Sequence, residues 1–144
     1  MTAAAPARKR RTQAERTAET REALLEAAIG LLYRNGYSKT PIELIAEEAG
    51  VTRGAMRHHF RTRAQLMAAV ICTVYEQEHR SYREIAASRG RAAVLSDWPD
   101  MLWAGLSKPS GLAVLEVLQA SRSDPELAAL VMPMQAQIEQ MSFE

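Results

Sequence analysis

The chain has 144 residues, 47% hydrophobic and 24% charged, a composition that excludes a disordered or fibrous protein. No apolar run approaches the roughly 20 residues of a membrane-spanning helix, and a lone cysteine, Cys72, leaves no internal disulfide to form. The net charge of +1 is unevenly spread: residues 1–63 hold 12 Lys and Arg against 7 Asp and Glu (net +5), residues 64–144 hold 6 against 10 (net −4). The basic first part is therefore the one expected to face a polyanion.

Residues 1–15 begin with the basic cluster Arg8, Lys9, Arg10 and Arg11 and have no apolar stretch behind it. They are expected to form a basic, unstructured arm rather than a secretory signal, which makes the cytoplasm the expected compartment. From there the chain reads as helix throughout, with Gly and Pro at the breaks and no strand-type alternation. The first helix is expected to begin between Thr12 and Thr20, where Thr12-Gln13-Ala14-Glu15 has the form of a capping box. Leu24, Leu25, Ala28, Leu31 and Leu32 give it a buried stripe, and Gly36 ends it.

In Thr40-Pro41-Ile42-Glu43, Thr40 is expected to cap a second, two-turn helix with Pro41 at its first position and Glu43 closing the box. Ile42, Ile45, Ala46 and Ala49 share one face, and Gly50 stops it. Thr52 then caps a third helix running to Phe60. Ala55, Met56 and Phe60 are its packing side, which leaves Thr52, Arg53, Arg57 and His58 facing outward. Thr62-Arg63-Ala64-Gln65 opens a long fourth helix that lasts until Gly90. Beyond it, a break is expected at Asp97-Trp98-Pro99 and a loop at Lys108-Pro109-Ser110-Gly111. Leu112, Leu115, Val117 and Leu118 are expected in a well-buried helix. Asp124 and Pro125 start the last helix, which carries Leu127, Leu130, Val131, Ile138 and Met141, with Pro133 kinking or dividing it.

Two short helices joined by a tight glycine turn, the second presenting basic and polar residues, have the form of a helix-turn-helix. Such a helix fits the major groove. Arg53 and Arg57 suit guanine edges or phosphates, Thr52 and His58 suit bases or backbone, and Thr40 and Pro41 mark a phosphate contact at the neighbouring helix start. The Arg8–Arg11 arm suits the adjacent minor groove.

The stretch from Arg21 to Leu66 resembles the DNA-binding domain of the tetracycline-repressor (TetR) family. The resemblance rests on Leu24-Leu25-Glu26-Ala27-Ala28, Leu32, Gly36-Tyr37, Thr40, Ile45-Ala46, Ala49-Gly50-Val51-Thr52-Arg53-Gly54-Ala55, His59-Phe60 and Leu66. It implies an all-α protein in which residues 16–62 form a three-helix DNA-binding domain. Residues 63–144 would then form a helical domain for dimerisation and ligand binding, short or truncated at Glu144 relative to the family. By the same resemblance Gly54 and His59 join the DNA-binding set. Arg57 stands where the family usually has a phosphate-touching Tyr, and Arg63 where it usually has Lys, so positive charge is kept while contact geometry changes.

The implied function is sequence-specific transcriptional regulation, most commonly repression relieved by a small apolar or amphipathic inducer, by a homodimer on a palindromic operator in double-stranded DNA. A shortened regulator that binds DNA or pairs with a relative without sensing ligand is the alternative. An enzyme or interaction module with no DNA role is a remote one. Met67, Tyr75, Trp98, Met101 and Trp103 are candidates for lining an apolar ligand pocket, although aromatics and Met at helical spacing are more often plain core. His58, His59 and His79 lack the spacing of a metal site. No phosphate loop, nucleophile elbow or paired-acid motif is present, so neither catalysis nor a cofactor is expected.

Overall fold

The computed structural model describes residues 12–143, with side chains described through residue 137; the Arg8–Arg11 cluster and the side chains of Ile138 and Met141 lie outside these limits. The described residues form seven helices and no strand: α1 (Gln13–Asn35), α2 (Ile42–Glu48), α3 (Arg53–His59), α4 (Arg63–Arg89), α5 (Arg91–Leu106), α6 (Pro109–Ala120) and α7 (Pro125–Phe143). The all-α expectation is met.

Local chemistry explains most boundaries. The Thr12 hydroxyl accepts from Glu15 N at 3.2 Å while the Glu15 carboxylate accepts from Thr12 N at 2.7 Å, a complete capping box. Helix α1 therefore starts at Gln13, and Gln13–Glu15 are helical rather than part of an unstructured arm. Gly36, Gly50 and Gly90 take positive φ where α1, α2 and α4 end, a conformation that costs other residues a Cβ clash. Thr52 and Thr62 accept from the backbone three residues on, and Asp124 accepts from Leu127 N at 3.1 Å to cap α7. At α4 the box is displaced by one residue, because the Gln65 side chain accepts from Arg61 N rather than Thr62 N.

One core unites the chain. Leu24 and Leu32 of α1, Ile45 of α2, and Leu66, Met67 and Ile71 of α4 are fully buried, and Val117 of α6 with Leu127 and Val131 of α7 closes over them. Each such side chain contributes about 1.5–3 kcal/mol, so this cluster outweighs any cap, worth about 1 kcal/mol. Helix α1 packs on α2, α4 and α6; α4 packs on α5, α6 and α7.

The C-terminal half departs from expectation in several places. Pro99 lies inside a continuous α5 instead of starting a new helix. The Asp97 carboxylate accepts from Arg89 Nη1 at 2.8 Å and from the Ser96 hydroxyl at 2.9 Å. Lys108–Gly111 is not a loop, since Pro109 sits in the first turn of α6 and only Ser107 and Lys108 separate the two helices. On α6 the buried face is Gly111, Ala113, Val114 and Val117. Leu112 and Leu115, expected inside, are about two-fifths exposed because small residues, not leucines, fit against α1 and α5. Leu130 of α7 likewise faces out. Helix α7 runs undivided through Pro133.

The sharpest packing constraint is at Gly111. A Cβ there would lie 2.2 Å from the Gly105 carbonyl oxygen and 2.8 Å from Leu106 Cα, both backbone atoms of α5. Backbone cannot swing aside as a side chain can. Gly111→Ala is accordingly expected to destabilise the fold by about 1–3 kcal/mol, read as a lower urea midpoint at unchanged m-value. An unmoved midpoint would mean that α5 and α6 part freely.

Candidate nucleic-acid interface

Helix α3 has a single fully inward side chain, Met56, and is closed by buried Phe60. Thr52, Arg53, Gly54, Arg57 and His58 are exposed along its other side, as expected. Glu43 of α2, Arg53, Gly54 and Arg57 of α3, and Arg61 and Arg63 ahead of and at the start of α4 surround a cleft of about 420 Å³. Four guanidinium groups against one carboxylate make it strongly positive, and concave low-dielectric walls concentrate such a field. Arg53, Arg57 and Arg61 form no ion pair with any described residue. Unneutralised cations on one exposed face suit a polyanion better than they suit folding.

The remaining residues fall into three groups. Pro41 is exposed beside the cleft as the N-cap of α2. His59 is half-turned inward, its ring 6.5 Å from that of Phe60; burial, then the neighbouring His58 and Arg21, hold its pKa below the usual value. Thr40 is a correction. It is wholly buried, does not cap α2, and donates its hydroxyl to Gly36 O at 2.8 Å. An unpartnered buried hydroxyl costs about 1–3 kcal/mol, so this inward bond wins over capping, and the side chain is out of reach of a phosphate.

Arg63 lines the cleft yet is anchored from behind. Its Nε donates to Thr40 O at 3.0 Å, its Nη2 donates to Tyr37 O, and its guanidinium carbon stands 3.9 Å from the centre of the Tyr37 ring. Arg63 thus fastens the α1–α2 loop while presenting charge to the cleft.

Sequence reasoning missed two residues here. Arg61 belongs to the basic cleft, and its place just before the α4 cap was the available signal. Tyr37 appeared only as a point of resemblance. In the structure its N–H donates to Glu116 Oε2 and its hydroxyl donates to Asp124 Oδ2, each at 2.9 Å.

The five candidates for a ligand pocket are not gathered around one cavity. Met67 is fully buried in the core and Tyr75 packs at its edge. Trp98 packs against Tyr82 in a tilted arrangement with ring centres 5.3 Å apart, while Trp103 is 74% exposed. Helix α5 has no fully buried residue: Met101 is partly buried against the neighbouring helices, while Leu95, Leu102 and Trp103 are exposed. A second groove, of about 310 Å³ between α1 and α4, contains none of the five; Leu25 and Ile29 border it together with Glu22, Glu26 and Glu76. Cys72 is half-buried with its Sγ 3.3 Å from Met134 Sδ, and burial, then Glu76, push the thiol up. The described residues contain no group of three or more potential metal ligands, and no described helix is long and apolar enough to cross a membrane.

Burial, then the bond to Asp124, push the Tyr37 phenol up to about 12. Below pH 10 the phenol is protonated in both folded and unfolded chains, and its contribution to stability is complete. Between pH 10 and about 12 the unfolded chain loses this proton while the folded one keeps it, so stability falls as pH rises. The phenolate ultraviolet band should show a late-titrating tyrosine that Tyr37→Phe removes. An unchanged titration curve would contradict its sequestration.

Against known proteins, residues 24–70 match the family described as bacterial regulatory proteins, tetR family. The chain is 36% identical over 120 residues to the HTH-type transcriptional regulator CymR of Pseudomonas putida, covering 83% of this chain and 59% of that protein. It is 43% identical over 67 residues to the HTH-type transcriptional regulator TtgR of Pseudomonas putida, covering 46% and 31%. Over 57 residues it is 46% identical to the probable acrEF/envCD operon repressor of Escherichia coli, covering 40% and 26%. The chain thus spans less than two thirds of the length of each of these relatives. The matched segment holds the whole helix-turn-helix, from the buried face of α1 into the first turns of α4, and over it the chain is similar to the tetR family of bacterial regulatory proteins.

Proposed function

We propose that this chain is a sequence-specific DNA-binding transcriptional regulator, acting as a repressor. The observation that carries this reading is the exposed set Arg53, Arg57 and Arg61 around one cleft on the helix-turn-helix, without acidic partners among the described residues. Relatives named as transcriptional regulators, and one as a probable operon repressor, support it.

In this reading α3 enters the major groove with Arg53, Gly54 and Arg57 towards the base edges, while Arg61 and Arg63 hold phosphates on the flank. Gly54 has open space around the position of a Cβ, so the backbone there can come close to the DNA. Pro41, Thr52, His58 and His59 complete the rim. The protein works as a homodimer on a palindromic operator, in the cytoplasm, and a small apolar or amphipathic inducer releases it.

Selection of bound duplexes from a random pool tests the reading, with a two-fold-symmetric motif expected. Arg57→Ala should then weaken binding to the selected site about 5- to 100-fold and binding to random duplex much less. Equal losses on both would make Arg57 a phosphate contact, and recovery of no motif at moderate salt would sink sequence-specific recognition.

A further inference from the structure

Helices α2 and α3 pack on α1 and on each other. Besides the chain connection from α3 into α4 through residues 60–62, they are linked to the C-terminal helices at the loop between α1 and α2, where Tyr37 makes three kinds of contact. Its N–H donates to Glu116 of α6, its hydroxyl to Asp124, and its ring and carbonyl meet the Arg63 guanidinium at the start of α4. Asp124 divides its two oxygens, one accepting from Tyr37 and the other capping α7. The approach is close: a Cβ on Gly36 would stand 3.1 Å from Glu116 Oε2, and Gly36 holds φ +74. Carboxylate acceptors make these stronger than ordinary hydrogen bonds. Arg34–Glu48 at 2.6 Å also joins α1 to α2, with both side chains about half exposed, where an ion pair contributes little, and the Arg21 guanidinium lies 5.4 Å from the centre of the Phe60 ring.

We propose that Tyr37 is a positioning residue for DNA recognition: it sets the angle of α2 and α3 by bolting the α1–α2 loop to the corner between α6 and α7. A displacement of that corner draws on Glu116 and Asp124 together, pulls Tyr37 away from Arg63, and turns the reading surface. The inference rests on the DNA-binding reading for its consequence, and on the local geometry alone for its mechanics.

Two measurements on the full chain test it. Tyr37→Phe keeps the ring over Arg63 and removes only the bond to Asp124. It should weaken binding to the selected duplex about 3- to 10-fold while leaving the salt dependence of binding unchanged, since no phosphate contact is lost. The double variant Tyr37→Phe with Asp124→Asn, whose amide oxygen can keep the α7 cap, should be no weaker than the poorer single variant, because both act on one link. In the DNA-free protein, Tyr37→Phe should also speed amide exchange of α2 and α3 several-fold relative to the buried middle of α4. Unchanged affinity, additive losses or a reduced salt slope would each overturn the proposal. If the parent chain binds no DNA, the regulator reading fails by itself, and unaltered exchange in α2 and α3 then overturns the bolt as well.

Discussion

The reading surface depends on burial it does not supply. Helices of seven residues are far below the roughly 12–15 at which an isolated helix becomes marginal in water. Helix α2 contributes two buried residues, Ile45 and Ala46, and α3 contributes one, Met56. Neither can hold a direction alone. Both inherit it from the long helices α1 and α4, whose leucines, isoleucines and methionines form the floor beneath them. Arg53 and Arg57 point where that floor makes them point.

Arg63 shows how stability and charge are reconciled at the edge of that floor. Two of its N–H groups satisfy backbone carbonyls of the α1–α2 loop, and its face lies on an aromatic ring. A planar guanidinium can do this and still leave donors towards the cleft, whereas an ammonium has no flat face to stack. The residue that stands where the family usually has Lys is therefore more than a spare positive charge.

Backbone punctuation was legible in the sequence because its causes are local. Thr12, Thr52, Thr62 and Asp124 act as caps, and Gly36, Gly50 and Gly90 close helices through their own φ angles. At Thr40 the sequence signal points the other way from the structure, because capping and burial compete for one hydroxyl and tertiary packing decides between them. Pro99 and Pro109 carry the same local signal but stand in opposite contexts, one inside a helix and one at its start. On α5 and α6 the apolar spacing marks a stripe without saying which neighbour covers it, so Leu112, Leu115 and Trp103 were assigned to the wrong side. Of the candidate site, Arg53 and Arg57 could be read directly. Tyr37 could not, for its partners lie 79 and 87 residues further along the chain.

That separation bears on the order of assembly. Contacts among the first four helices all span fewer residues than the 79 and 87 that separate Tyr37 from Glu116 and Asp124, and closing a shorter loop costs less chain entropy. The joint at Tyr37 can close only after α6 and the first turn of α7 have been made and docked. During synthesis, then, α2 and α3 exist for a time packed on α1 before the contacts of Tyr37 with α6 and Asp124 are made. By loop length, the joint at Tyr37 belongs with the late contacts rather than the early ones.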